Sequence, residues 1–232
     1  MSESLASYRL TPQTLFVVTT PTESPQLWTE YLAGALAGYR RFDVEAALNL
    51  DQIRDGTTSI RFAAAVDSSG TVVGGVRYAL YESAETASAV LMWNGYEGRD
   101  DLYRLVKSRI DEGIVESKAA FVSPDSPDRR EIARAIGRAG AVVPMVTTQA
   151  RWALGVAGDD HAIAHWQSAG SIKEPADLPG APYPDARYHA TPLWWDRTTY
   201  LDNPLADPVQ RELIRSEAAQ LASAFGAAGR NR

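Results

Sequence analysis

The chain has 232 residues, of which 45% are hydrophobic and 22% are charged. This size and composition indicate one globular domain and exclude a disordered chain, a collagen and a coiled-coil rod. The net charge of −6 and the lack of cysteine argue against binding to nucleic acid or an anionic membrane, and exclude disulfides and thiolate zinc sites. Because no apolar run spans a bilayer and the N-terminus lacks signal-peptide regions, we expect a cytoplasmic protein.

The first half of the chain is predicted to contain strands and helices in mixed order. β-branched residues indicate strands, Ser24-Pro25 indicates a helix start, and alternation around a Ser-Ser-Gly turn indicates a hairpin. The predicted elements are a strand over 15–20, a helix over 25–38, a shorter helical segment over 39–48, and a hairpin of 60–67 with 71–80.

The second half alternates helices and strands more regularly. Apolar residues recur at helical spacing in four segments, and apolar runs between them indicate strands. The predicted elements are a helix over 99–112, a strand over 114–122, a helix over 128–149, a strand over 151–157, a helix over 159–170, a strand over 188–195 and a helix from 207. We expect a single domain over 1–232 with a frayed tail at 226–232, and the hairpin, strand 114–122 and helix 99–112 packed together.

This order of elements, with four segments in it, resembles the Gcn5-related N-acetyltransferase superfamily. The segments are VDSSGTVVGGVRYAL (66–80), IVESKAAFVSP (114–124), RWALGVA (151–157) and DDHAIAHWQSAG (159–170). The resemblance implies an α/β fold of the acyl-CoA N-acyltransferase type: a mixed, splayed central sheet flanked by helices, here with an extra C-terminal helix. Within the superfamily, Arg77 and the segment Glu116-Ser-Lys118 make the chain similar to one branch, the acyl-homoserine-lactone synthases and N-acyl-amino-acid synthases.

The same resemblance places the acyl donor at the start of the helix near Asp128. In the superfamily, backbone N–H groups of a glycine-containing helix start bind the diphosphate of coenzyme A. Here Pro127 lacks an N–H, Asp128 adds negative charge, and alanine replaces the first glycine. The expected donor-binding residues are Val122, Arg129, Arg130, Ala133 and Ala135. Arginines at a helix start oppose the macrodipole, which indicates either a phosphate-bearing ligand or a solvated loop.

On the acceptor side, the resemblance makes Glu116 the candidate base for an amine. Lys118 lies two residues further along the strand and therefore on the same face, so the two residues either hold a polar substrate or neutralise each other. Arg77 either contacts a substrate carboxylate or carbonyl, or pairs with Asp51 or Glu82. The other expected substrate-binding residues are Trp166, Tyr183 and Tyr188.

Trp166 stands where the superfamily often has a tyrosine acid, so that role has no candidate here. His161, His165 and His189 are each more typical of surface or packed residues than of catalysts. Adjacent Trp194 and Trp195 should face opposite sides of a strand.

The expected activity is transfer of an acyl group from acyl-CoA or an acyl-carrier protein to an amine of a small metabolite. With neither cysteine nor a recognisable Ser–His pair, the sequence predicts direct attack by the amine, without a covalent enzyme intermediate and without a metal. The expected partners are the small-molecule acceptor and the carrier protein, and a homodimer is compatible with the resemblance. The alternative is a non-catalytic ligand-binding or scaffolding protein that keeps the fold with a degenerate coenzyme A loop.

Overall fold

A computed structural model describes residues 5–229, and its centre is one nine-stranded sheet. The strands are β1 (Ala6–Thr11), β2 (Thr14–Thr19), β3 (Arg61–Asp67), β4 (Val72–Leu80), β5 (Ile114–Val122), β6 (Trp152–Ala157), β7 (Ile172–Lys173), β8 (Ala181–Pro182) and β9 (His189–Asp196). Their order across the sheet is β1-β2-β3-β4-β5-β6-β9-β7, and β8 also pairs with β9. β5 and β6 are parallel, whereas the other neighbours are antiparallel.

Helices cover both faces of this sheet. They are α1 (Pro25–Arg40), α2 (Leu50–Ile53), α3 (Ser88–Met92), α4 (Arg99–Arg109), α5 (Arg129–Thr147), α6 (Asp160–Ser168) and α7 (Pro208–Gly229), with 3-10 turns at Glu45–Leu48 and Ile110–Glu112. Across residues 5–229, none of the helices combines the length and the apolar character that a bilayer crossing requires.

The predicted hairpin and the strand after it are confirmed. β3 and β4 pair antiparallel around the Ser-Ser-Gly turn, and β4 pairs with β5, so all three belong to one sheet. Helix α4 packs on this sheet through Leu102 and Val106, which share a buried cluster with Ile114. Alternating apolar residues and a short glycine turn therefore determine this part of the fold.

The central strands separate, as the splayed sheet requires. β5 pairs with β6 only from Ile114 to Ser117, although β5 continues to Val122. Beyond the last pair, Ala119 adopts a left-handed conformation with φ 51°, and the register between β4 and β5 shifts at this bulge. The Tyr31 hydroxyl donates a hydrogen bond to the Ala119 carbonyl at 2.8 Å and holds the bulge in place. The mixed, splayed α/β fold expected from the sequence is thus confirmed.

Different helices bury the two faces of the sheet. On one face, α1, α3 and α4 pack through two apolar clusters, and on the other face α5, α6 and α7 pack through two more. Neighbouring residues on β9 confirm this division, because Trp194 joins the α4 cluster and Trp195 joins the α6 cluster. Both indoles are buried. The side chains of β4 and β5 therefore alternate between the two faces.

Several elements differ from the sequence-based expectation. The predicted helical segment over 39–48 is shorter, because only Glu45–Leu48 forms a 3-10 turn after α1 ends at Arg40. Strand β1 and helices α2 and α3 have no counterpart among the predicted elements. The last helix continues to Gly229, beyond the predicted start of the frayed tail at 226, and residues 230–232 lie outside the described part of the chain.

Candidate active site

The candidate site forms around the carboxylate of Glu116, in the middle of β5. Its side chain is 2% exposed and accepts a hydrogen bond from the Lys118 ammonium at 2.7 Å. Both residues lie on the face that α1, α3 and α4 cover, because they alternate with Val115 and Ser117. A buried carboxylate needs such a partner, since an unpaired charge away from water is costly. Glu116 and Lys118 therefore pair with each other, which is one of the two alternatives that the sequence left open.

Ser88, the first residue of α3, completes a compact group of three side chains. Its hydroxyl donates a hydrogen bond to the Glu116 carboxylate and accepts one from Lys118 at 2.6 Å. The Tyr81 hydroxyl, 3.4 Å from the Ser88 hydroxyl, accepts a hydrogen bond from the Ala89 N–H at 3.0 Å and so anchors the start of α3. Burial, together with the nearby Glu116 charge, raises the pKa of Tyr81 well above its usual value, so its hydroxyl stays protonated.

Arg77 on β4 brings a second cation to the site. It lies directly opposite Lys118 in the register of β4 and β5 and is only 6% exposed. Its guanidinium contacts the Ser59 hydroxyl at 3.2 Å and the Thr58 carbonyl at 3.5 Å, while its Nε has no hydrogen-bond partner. Among residues 5–229, no carboxylate lies within ion-pair distance of Arg77. The expected pairing with Asp51 or Glu82 is therefore absent.

Two tyrosines border this charged group from the side of α1 and β8. Burial raises the pKa of Tyr39 to about 12; Tyr183 and Glu116 contribute to the increase, and Arg77 opposes it. Burial raises the pKa of Tyr183 as well, with a smaller contribution from Glu116. Both phenols therefore stay protonated near neutral pH and can donate hydrogen bonds. The sequence-based assignment of Tyr183 to the acceptor side is compatible with its position near Glu116.

The loop that carries Tyr183 closes over the segment after α1. The Tyr183 hydroxyl donates a hydrogen bond to the Ala47 carbonyl at 3.3 Å, and Arg187 donates one to the Asp43 carbonyl at 3.3 Å. Arg187 also pairs with Asp185 at 2.7 Å and lowers the pKa of that carboxyl to about 2. Tyr188 is half-buried next to Arg187 at the end of this loop.

The start of α5 lies apart from this group and holds the candidate donor-binding residues. The Asp128 carboxylate accepts hydrogen bonds from the hydroxyls of Thr11 and, at 2.7 Å, Thr14, which lower its pKa. Asp128 is thus ionised at neutral pH next to the N-terminus of α5. Arg129 and Arg130 are exposed, and neither forms an ion pair with any described residue. Asp128 and the two arginines line one surface cleft, where an anion would meet both charge signs.

The remaining expected site residues lie in packed positions. Val122 packs on the α5 side of the sheet, and Ala135 is fully buried in the same cluster, whereas Ala133 is half-buried. Trp166 is buried in the α6 cluster with its ring 5.6 Å from that of Trp195. A Cβ atom at position 155 would lie 1.3 Å from the Trp166 ring, so Gly155 is needed for this contact. The structure therefore brings Glu116, Lys118 and Arg77 together, and these packed residues lie elsewhere.

Sequence reasoning missed three residues of the site: Ser88, Tyr81 and Tyr39. Ser88 begins a five-residue helix within a segment for which no element was predicted. Tyr81 directly follows β4 and lies four residues after Arg77. Because side chains alternate along a strand, continuing the alternation of β4 to Tyr81 places it on the same face as Arg77 and could have indicated it. The histidines on α6 contact each other, with their Nε2 atoms 3.1 Å apart, and neither bonds to Glu116 or Lys118.

Comparisons with known proteins agree with the fold. The chain is 36% identical over 216 residues, 93% of its length, to uncharacterised proteins of Mycobacterium bovis and Mycobacterium tuberculosis, of which it covers 81%. Its structure is similar to that of FeeM, an N-acyl amino acid synthase from uncultured soil microbes, with a TM-score of 0.54 and 8% sequence identity over 83% of this chain and 96% of FeeM. No protein-family model matches the chain.

Proposed function

Because the chain belongs to one family with these mycobacterial proteins and has the fold of the Gcn5-related N-acetyltransferase superfamily, we propose that it transfers an acyl group from a thioester to a small amine. We further propose that the amine carries an anionic group, as an amino acid does. The observation that carries this proposal is the buried Arg77, which has no carboxylate partner among residues 5–229.

The charges at the site support an anionic acceptor. Arg77 and Lys118 place two cations opposite each other on adjacent strands, and Glu116 supplies one carboxylate. Like charges in directly opposed strand positions repel, and a buried guanidinium with an unpartnered Nε lacks a bond it could make. A substrate carboxylate bound to Arg77 would offset the repulsion between Arg77 and Lys118 and would accept a hydrogen bond from the unpartnered Nε of Arg77. Tyr39 can donate a hydrogen bond to the same ligand.

Glu116 is the proposed base. A protonated amine has no lone pair and must lose a proton before it can attack an acyl carbon, and a positioned carboxylate can take that proton. Lys118 then holds Glu116 in one orientation through its hydrogen bond. The FeeM fold and the separation of β5 from β6 beyond Ser117 support binding of an extended thioester arm between these strands.

The donor is proposed to be acyl-CoA or an acyl-carrier protein. The ionised Asp128, together with Pro127, makes the start of α5 unfavourable for a diphosphate, while the exposed Arg129 and Arg130 favour one. This balance favours weak coenzyme A binding and keeps the carrier protein as the second donor. Weak coenzyme A binding is also what the alternative, a ligand-binding protein without catalytic activity, would show.

Matched amines test this proposal. Purified protein is incubated with acyl-CoA or acyl-carrier protein and either phenylalanine or phenethylamine, which differ by one carboxylate, and N-acyl products are measured by mass spectrometry. We expect product from phenylalanine, and a loss of about 10- to 100-fold in kcat/KM either without the carboxylate or in Arg77→Met. Equal turnover of the two amines would contradict the proposal that the acceptor is anionic. Binding of the thioester and the amine without any product would favour the non-catalytic alternative.

A further inference from the structure

Ser117, on β5, is a buried serine whose hydroxyl is not used by the fold. The residue is 3% exposed, and its Oγ atom forms no hydrogen bond with any of residues 5–229. A buried hydroxyl without a partner costs free energy, because burial removes its hydration and nothing replaces it. A ligand that enters the protein next to Ser117 would supply the missing partner.

Ser117 lies at the point where β5 and β6 part. It is the last residue of β5 that pairs with β6, where its neighbour is Gly155. On β4 its neighbour is Tyr78, which belongs to the cluster under α5 and α7 and whose hydroxyl is already bonded to a carbonyl of α5. Ser117 therefore faces the α5 side of the sheet, whereas Glu116 faces the opposite side.

The gap between the two strands joins Ser117 to the start of α5. Ile132, in the first turn of α5, packs so closely on β4 that a Cβ atom at Gly74 would lie 2.6 Å from it, and Gly74 pairs with Val122 at the far end of β5. The open end of the gap thus faces the start of α5, and its closed end is at Ser117. A thioester arm that enters from α5 would bring its sulfur to the closed end, while the amine approaches from the side of Glu116.

We propose that the Ser117 hydroxyl donates a hydrogen bond to the thioester sulfur as the thiolate departs. This inference rests on the proposed function and adds a residue to it. In the transfer the C–N bond forms and the C–S bond breaks, with the electron pair of the C–S bond left on sulfur. The protons that nitrogen loses pass to water by way of Glu116, and the thiolate takes a proton from water when it is released. Ser117 keeps its own proton and stabilises the charge that develops on sulfur.

Two thioesters with the same acyl group test this role. The octanoyl thioester of N-acetylcysteamine releases an alkyl thiolate, a poor leaving group, whereas that of thiophenol releases a more stable aryl thiolate. Each is supplied with phenylalanine, and rates are corrected for the reaction without protein. For Ser117→Ala we expect kcat to fall by about 10- to 100-fold with the alkyl thioester, the range for one hydrogen bond to a charged group, and by less than about threefold with the aryl thioester. Equal losses with both thioesters, or no loss, would overturn the inference.

Ser171→Ala is the matched control. Ser171 is 4% exposed and its hydroxyl is also unpartnered within residues 5–229, but it precedes β7, two strands beyond β6 in the sheet. Each variant removes one buried, unpartnered oxygen, so neither should lower the Tm. We expect Ser171→Ala to turn over both thioesters at the wild-type rate. A selective loss with the alkyl thioester in Ser171→Ala as well would overturn the assignment to Ser117.

A titration of bound thiol tests the same hydrogen bond without turnover. The chain has no cysteine, so the thiolate absorbance that bound N-acetylcysteamine adds to the spectrum belongs to the ligand. We expect the pKa of the bound thiol to be lower in the wild-type chain and in Ser171→Ala than in Ser117→Ala, because a hydrogen bond to the thiolate favours the charged form. If this difference is seen but the wild-type chain turns over neither thioester, the proposed function fails and the thiol contact of Ser117 stands. If the thioesters are turned over but the thiol pKa is the same in all three proteins, the inference fails and the proposed function stands.

Discussion

Arg77 and Arg138 are both buried arginines, and only one of them has a carboxylate partner. Arg138, on α5, is 1% exposed and donates to both oxygens of Glu217 at 2.9 and 2.6 Å and to Gln210 at 2.7 Å. Arg77 has neutral partners only and an unpartnered Nε. Replacing each by methionine removes a charge of the same kind from the interior. The two replacements should therefore have very different effects on the free energy of unfolding.

For Arg138→Met we expect a loss of about 3–5 kcal/mol, because the Glu217 carboxylate is left buried without its partner. In a chain of this size the loss corresponds to a decrease in Tm of about 6–20 °C. For Arg77→Met, the lost bonds to Ser59 and Thr58 are nearly offset by removal of the unpartnered donor and of the repulsion with Lys118. We expect a change of less than about 1 kcal/mol, or less than about 4 °C in Tm.

Thermal and urea unfolding of the two variants measure this difference directly. Arg134→Met is the control for loss of an arginine on α5, because its ion pair with Glu131 is half-exposed and contributes less than about 1 kcal/mol. Combining Arg138→Met with Glu217→Met should restore most of the lost stability, since no charge is then left unpaired. A decrease in Tm for Arg77→Met as large as that for Arg138→Met would refute the idea that Arg77 awaits a ligand.

Three further results are expected. Coenzyme A should bind weakly, with an affinity that falls as salt rises, and combining Arg129→Ala with Arg130→Ala should abolish binding in calorimetry, whereas tight, salt-insensitive binding would argue for amide anchoring. Asp128→Asn should tighten binding of the same ligand by about twofold to fivefold, because it removes a negative charge from the helix start, and weaker binding would contradict that role. Asp185 should titrate near pH 2 in NMR spectra and at a higher pH in Arg187→Ala, which removes the guanidinium but keeps the backbone N–H of residue 187 that also bonds to the carboxyl. Because its folded pKa is the lower one, its contribution to stability is present above the unfolded pKa and disappears as pH falls through about 2.

The parts of the fold that the sequence predicted have strong local patterns. The hairpin of β3 and β4 and the strand β5 combine apolar alternation with glycine turns, and the predicted bounds of β5 match the structure. Strand β1, which reads ASYRLT, contains few β-branched residues and was not predicted. The two-residue strands β7 and β8 form only because β9 offers a partner. Their formation depends on tertiary contacts that no local pattern records.

The residues of the site also divide into those that a local sequence pattern could place and those that it could not. Glu116 and Lys118 could be placed on one face because side chains alternate along a strand, and the pairing of β4 with β5 brought Arg77 to them. Ser88 could not be placed, since it reaches Glu116 across 28 residues from a five-residue helix with no distinct periodicity. Trp166 lies on α6 at the position where the superfamily often has a tyrosine, but its ring occupies the space above Gly155 in the core.

The central claim is that Glu116 takes the proton from an acyl-accepting amine. Its most direct test is the turnover of acyl thioester and phenylalanine by Glu116→Gln, with Glu82→Gln as the control for loss of an exposed glutamate just beyond β4. We expect kcat to fall by about 10²–10⁴-fold in Glu116→Gln, the range for loss of a positioned base, with donor binding retained and with Glu82→Gln indistinguishable from the wild-type chain. Wild-type turnover by a folded Glu116→Gln variant would contradict the account.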